Sequence, residues 1–231
     1  MLSLLGLLLL GVVVFLLGAV ERWTARSFGE LVVLRMMGLF YLPIVALVFG
    51  AGALGEERED KTLSYLLTRP VPRWGIFVGK YAAALPVTLA LNAGGLWLLE
   101  KVALLGGQPD LRGAFELYAP AVLLGTLAYL GLFHFLGAAF RHSTLISIAY
   151  VFFVEVFLGR VPGVLKRVSI CFYTWSMVYE VGQPLGVQAP PRVVFLPVGG
   201  DVARLVLLLI AATFVILGAV YFSRREYTEG S

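Results

Sequence analysis

Long apolar runs separated by short polar breaks set the pattern of this chain. The runs are Leu2 to Val20, Leu31 to Leu54, Phe77 to Leu99, Leu117 to Phe140, Thr144 to Leu158 and Val202 to Phe222, and Leu, Val, Ala and Gly dominate them. A hydrocarbon layer about 30 Å thick takes roughly 20 helical residues to cross. In lipid a helix satisfies every backbone group within one segment, whereas a transmembrane barrel would need alternating strands that this sequence lacks. The pattern therefore predicts an all-α membrane protein of six transmembrane helices, the fifth of them short. One membrane domain would take up residues 1–231.

Between the fifth and sixth runs, Gly159 to Gly200 is too polar to cross and too apolar to float in water. Val161, Val164, Leu165, Val168, Phe172 and Trp175 recur at helical spacing, with Lys166 and Arg167 on another face. That is the signature of an external interfacial or re-entrant helix. Pro184, Pro190, Pro191 and Pro197 oppose a continuous helix beyond it, and an irregular external lid is expected there.

Composition agrees. Of the 231 residues, 60% are hydrophobic and 14% charged, against about 45–50% and about 25% in ordinary soluble domains. The formal charge of +4 is scattered between apolar runs and forms no basic stripe, which argues against nucleic-acid binding. Cys171 is the single cysteine, so no internal disulfide can form. Met1 to Val20 lacks a basic start and is longer than an ordinary signal-peptide core, so it reads as a span. The Lys and Arg count favours neither side by the positive-inside rule, but the charged cluster between the second and third runs and the Arg224-Arg225 pair after the sixth suggest cytoplasmic termini.

One polar segment carries a specific signal. From Gly55 to Arg73 the charge density contrasts with everything around it. Acidic residues open the segment, as suits the positive end of a helix. Leu63, Leu66 and Leu67 then form an apolar stripe, predicting a short amphipathic helix from about Glu57 to Leu67. Pro70 stops that helix and Pro72 stiffens the turn into the next span. The result is a charged handle joined to two spans by few flexible bonds. Read without reference to any family, it is equally a solvated loop.

The order Glu57-x-Glu59-x-x-Thr62-Leu63-x-x-Leu66-Leu67-x-x-Pro70-Val71-x-Arg73, followed by Gly79-Lys80, resembles the signature after the second span of ABC-2 type transporter permeases. Lys61 stands where that family usually has glycine, and the sequence starts almost inside the first span, so either the basic amphipathic elbow helix that usually precedes it is missing or the start is truncated. The resemblance implies a permease domain whose coupling helix fits a groove on a separate cytoplasmic ABC-type ATPase. Glu57, Glu59, Thr62, Leu63, Leu66, Leu67, Pro70 and Arg73 would form that interface. It also implies two permease halves, from a second copy or a homologous chain, in the cell (inner) membrane. No Gly-x-x-x-x-Gly-Lys-Ser/Thr loop is present, so ATP and Mg would be bound by the partner and no cofactor by this chain.

Four polar residues within spans are further candidates: Arg35, Asn92, His134 and Glu155. An ionisable group in a span is costly and is by default a functional hypothesis. Glu155 and Arg35 are expected to form an ion pair near the outer ends of their spans. His134 and His142 have no carboxylate or cysteine partner and make a poor metal site, so a hydrogen-bonded packing role is expected for His134. Asn92, Thr88 and Thr126 are expected to join helices by hydrogen bonds. Gly125, Gly131 and Gly137 recur every six residues, which is no GxxxG motif but permits close helix approach. Two other readings remain open. An intramembrane protease of the CAAX-processing type would need arginine where Lys61 follows Glu56-Glu57; a membrane assembly subunit that moves nothing would need no such motif.

Overall fold

The computed structural model describes residues 24–59, 71–161, 163–191 and 195–224. The first predicted span, Leu2 to Val20, lies outside them. Every regular element among the described residues is helical. Helix α1 begins at the Thr24 cap and runs through Ala25–Ser27, a π-helical stretch Phe28–Tyr41, and Leu42–Glu59. It is followed by α2 (Arg73–Leu105), α3 (Ala114–Ala139), α4 (Ser143–Tyr150, continuing as a π-helical turn through Val151–Phe157), α5 (Ile170–Gly182) and α6 (Gly200–Arg224).

Four of these are long and apolar enough to cross a bilayer: α1, α2, α3 and α6. Ser143–Phe157 is a shorter apolar helix, in keeping with the short fifth run of the sequence. Pro86 inside α2 and Pro120 inside α3 are tolerated, as prolines in membrane helices are where neighbouring helices and side chains re-satisfy the freed backbone groups.

Helix α3 is the hub. Its apolar window is 78% buried, against 28% for α2 and 22% for α6. The glycines at six-residue spacing explain how it touches so many neighbours. Six residues turn a helix by about 240°, so three glycines so spaced point in three directions. A Cβ on Gly125 would lie 2.9 Å from Thr174 Oγ1 of α5; one on Gly131, 3.1 Å from the Ala211 carbonyl of α6; one on Gly137, 3.0 Å from the Ala51 carbonyl of α1. Each glycine admits a different helix. The outer helices instead turn apolar side chains outward, including Phe152, Phe153 and Phe157 on α4 and Leu205, Leu209 and Ile216 on α6.

The segment between α4 and α6 departs from the helical spacing seen in its sequence. The chain passes through short 3₁₀ turns at Leu158–Arg160 and Leu165–Val168, and only then starts α5. Gly163, at φ 108°, takes a backbone conformation that no helix contains. Ser169 is extended, and its hydroxyl accepts the Phe172 N–H, which fixes the start of α5. The proline-rich stretch after α5 forms one 3₁₀ turn, Gln183–Leu185, and is otherwise irregular over its described residues.

Candidate functional site

The charged segment of the sequence connects α1 to α2. Helix α1 continues through Glu59, so the first acidic residues extend the span's helix and do not begin a separate one. Nothing at Gly55 interrupts it; that glycine backs onto the Ser143 hydroxyl at the start of α4. The side chains of Glu57 and Glu59, and all of Thr62, Leu63, Leu66, Leu67 and Pro70, lie outside the described residues. Arg73 is the first residue of α2, directly after Pro72, whose fixed φ suits a helix entry.

The two helix ends flanking this segment are tied together. Lys80 Nζ, about two turns into α2, donates to the Ala53 carbonyl of α1 at 2.8 Å. His134 of α3 lies between them, fully buried, with Nδ1 3.3 Å from the Gly50 carbonyl and Nε2 3.0 Å from the Phe77 carbonyl. A neutral imidazole carries one N–H and so donates to one of these carbonyls at a time. The rings of Phe77 and Tyr81 pack on His134 at 4.4 and 5.7 Å. The packing role expected for this histidine is therefore present, and it joins three helices.

Around this joint lies a small apolar cluster of its own, made of Leu54 (α1), Phe77 (α2), Ala138 (α3) and Phe222 (α6). Gly218 leaves room for the Phe77 ring, and Tyr221 donates to the Ala139 carbonyl at 3.3 Å. The ends of four helices thus form one plate beneath the charged segment.

The opposite face is organised by three glutamates, of which the sequence singled out one. Glu155 does not pair with Arg35. It is buried on the π-helical turn and accepts from Tyr150 Oη (2.7 Å), Ser169 Oγ (2.5 Å) and the backbone N–H groups of Ile170 (3.0 Å) and Cys171 (2.9 Å). The carboxylate thus satisfies orphan donors at the start of α5, where a negative charge also meets the positive end of the helix. Those four donors fill its lone pairs and leave no vacancy for a guanidinium. Glu100 does the same for α3, accepting from Phe115 N (2.7 Å) and Gly113 N (3.4 Å), with Lys101 at 3.3 Å. Glu180 accepts from Gly200 N at the start of α6. Glu100 and Glu180 were legible in principle: each is an acid closing one helix just before a loop that leads to the next.

Of the remaining polar residues Asn92 and Thr126 join helices, whereas the Thr88 hydroxyl bonds within its own helix. Asn92 Nδ2 of α2 donates to Thr126 Oγ1 of α3 at 2.9 Å, as expected from their place in the spans. The Thr126 and Thr88 hydroxyls donate to the carbonyls one turn back, Val122 and Ala84, both at 2.7 Å. Arg35 lies on the exposed side of α1. Among the described residues no three His, Cys, Asp or Glu side chains gather as a metal site would require.

A family model described as "ABC-2 family transporter protein" matches residues 19–227, nearly the whole chain. No curated protein matches it. The match covers all the described helices as well as the Glu57–Arg73 signature, and the chain accordingly belongs to the ABC-2 transporter family, as a multi-pass membrane permease subunit of an ABC transporter.

Proposed function

We propose that this permease is the membrane half of an ATP-driven exporter and that separate ABC-type ATPase subunits dock on Glu57 to Arg73. The supporting observation is the braced plate beneath that segment. Lys80 and His134 tie α1 to α2 and α3, so force applied to the connector moves helices and is not absorbed by a slack loop. In this reading Glu57, Glu59 and Arg73 give polar contacts, Thr62 with Leu63, Leu66 and Leu67 the face laid into the ATPase groove, and Pro70 the stop that keeps the handle short. Two permeases, identical or homologous, form one pathway.

ATP and Mg belong to the partner. Closure of the two ATPase subunits must favour one access state over the other, since a ligand shifts a conformational equilibrium only by its differential affinity. The runs Leu2 to Val20 and Thr144 to Leu158 complete six crossings, with both termini on the cytoplasmic side of the cell membrane.

The test is co-purification of the full chain with an ABC-type ATPase, followed by ATP hydrolysis in lipid nanodiscs. Replacing Glu57 to Arg73 by a Gly/Ser linker of equal length should abolish both complex formation and permease-dependent stimulation. Unchanged stimulation would refute docking at this segment.

A further inference from the structure

A cleft of about 670 Å³ opens between α1, α5 and the proline-rich stretch after α5. Its lining divides by chemistry. Trp175, Pro190 and Pro191 present apolar surface, while Arg35, Tyr179 and Gln188 present polar groups. The aromatic side is held stiff. Trp175 Nε1 donates to the Leu34 carbonyl at 3.0 Å, and Phe195 packs against Trp175 and Tyr179 with ring centroids 6.2 and 5.3 Å apart.

Charge in the cleft is unbalanced. Arg26 and Glu30, also on its wall, pair with each other at 2.9 Å and cancel. Arg35 forms no ion pair among the described residues, although it belongs to a helix long and apolar enough to cross a membrane. A cation so placed is costly until something compensates it. Burial pushes the Tyr179 hydroxyl up to about 12, so near neutral pH it remains a hydrogen-bond donor. Glu30, the one carboxylate among the described residues of the cleft wall, is already engaged by Arg26, so that lining offers a free cation and no free anion.

We propose that this cleft is a binding site for an anionic membrane lipid. Its phosphate sits on the Arg35 guanidinium, whose planar fork suits two parallel hydrogen bonds. Tyr179 and Gln188 donate beside it, and the first part of an acyl chain runs along Trp175 and the two prolines. The volume falls within the range of small-molecule sites and takes a headgroup with the start of a tail. This inference rests on the permease reading only in placing the chain in a bilayer.

The experiment uses the full chain with Trp23, Trp74 and Trp97 replaced by phenylalanine, so that Trp175 alone fluoresces. In nanodiscs, brominated phosphatidylglycerol should quench Trp175 with roughly fivefold preference over brominated phosphatidylcholine, the effect of one arginine on one lipid charge. Arg35→Gln should remove the preference and Arg35→Lys should keep part of it. Equal quenching by the two lipids in the unaltered site would overturn the proposal without reliance on any variant's folding. A change in Trp175 emission on adding inorganic phosphate to purely zwitterionic discs would also overturn it, by assigning the site to a soluble anion. No ATPase enters the assay, so its failure leaves the coupling reading untouched.

Discussion

Lys80 reaches across the base of the charged connector to the carbonyl of Ala53, 27 residues earlier, and closes the two ends of that connector into one frame. Lys80→Met keeps the aliphatic stem and removes the donor. A hydrogen bond from a charged donor contributes about 1.5–3 kcal/mol. We expect a stability loss near the lower end, read by thermal unfolding in detergent, and a larger fall in ATP hydrolysis coupled to the permease. Full coupling with a lowered melting temperature would separate the bond from force transfer.

Gly131 faces the backbone of Ala211, with no space for a side chain. Gly131→Leu should drive α6 from α3 and cost about 1–3 kcal/mol, as overpacking does. Gly94→Ala provides the control, because a Cβ there meets nothing within 4 Å and α2 is helical at that point. It should be neutral or slightly stabilising. The two variants are compared by chemical or thermal unfolding of the purified chain.

Removing Glu155 strands four donors at once. Glu155→Ala should destabilise by about 3–5 kcal/mol, the range for breaking a buried charged network. Glu155→Gln keeps one acceptor and should fall between. Limited proteolysis between α4 and α5 should accelerate in the same order, because the carboxylate is what fastens the start of α5.

Asn92 and Thr126 invite a double-mutant cycle. Hydrogen bonds between membrane helices couple on average by about 0.6 kcal/mol and rarely exceed about 1.7. The cycle Asn92→Ala with Thr126→Ala should give a coupling in that range. A coupling near zero would leave the 2.9 Å contact without energetic weight.

Cys171 is buried, and burial first, then the nearby Glu155 charge, pushes its thiol well above the ordinary range. The folded state thus holds this proton more tightly than the unfolded chain. Its contribution to stability is complete below the ordinary thiol pKa and declines as pH rises above it. Maleimide labelling of the folded protein should stay slow at mildly alkaline pH and become fast on unfolding. Rapid labelling of the folded chain would contradict the burial.

Much of the bundle was legible because lipid imposes a length and an apolar composition on each crossing. The runs at Leu31, Phe77, Leu117 and Val202 all became long helices, the first two extended by a turn or more at each end and the last two by less. Asn92 and His134 were legible as joining residues for the same reason, since an uncompensated polar group in a span is expensive. The partner of Glu155 was not. Charge alone suggested Arg35, but the decisive competitors were backbone N–H groups, and these exist only once Ser169 starts a helix. The break in the Val161 to Trp175 pattern was hidden similarly, because hydrophobic spacing carries no record of the backbone turn at Gly163. Glu100 and Glu180 went unnoticed because each looks like an ordinary charge at the end of an apolar run.

The glutamate caps and the ties made by His134 and Tyr221 also differ in how far along the chain they reach. Glu100, Glu155 and Glu180 each fasten the helix that comes next, over separations of 15, 16 and 20 residues. Tyr221 and His134, on the other face, find partners 82 and 84 residues away. As the chain emerges from the ribosome the glutamate caps close at small loop-closure cost, whereas the Tyr221 tie to Ala139 spans a long loop and waits for α6 to arrive. The face carrying the charged connector is therefore completed only once α6 has joined α3, and its closure reports that the described helices have assembled.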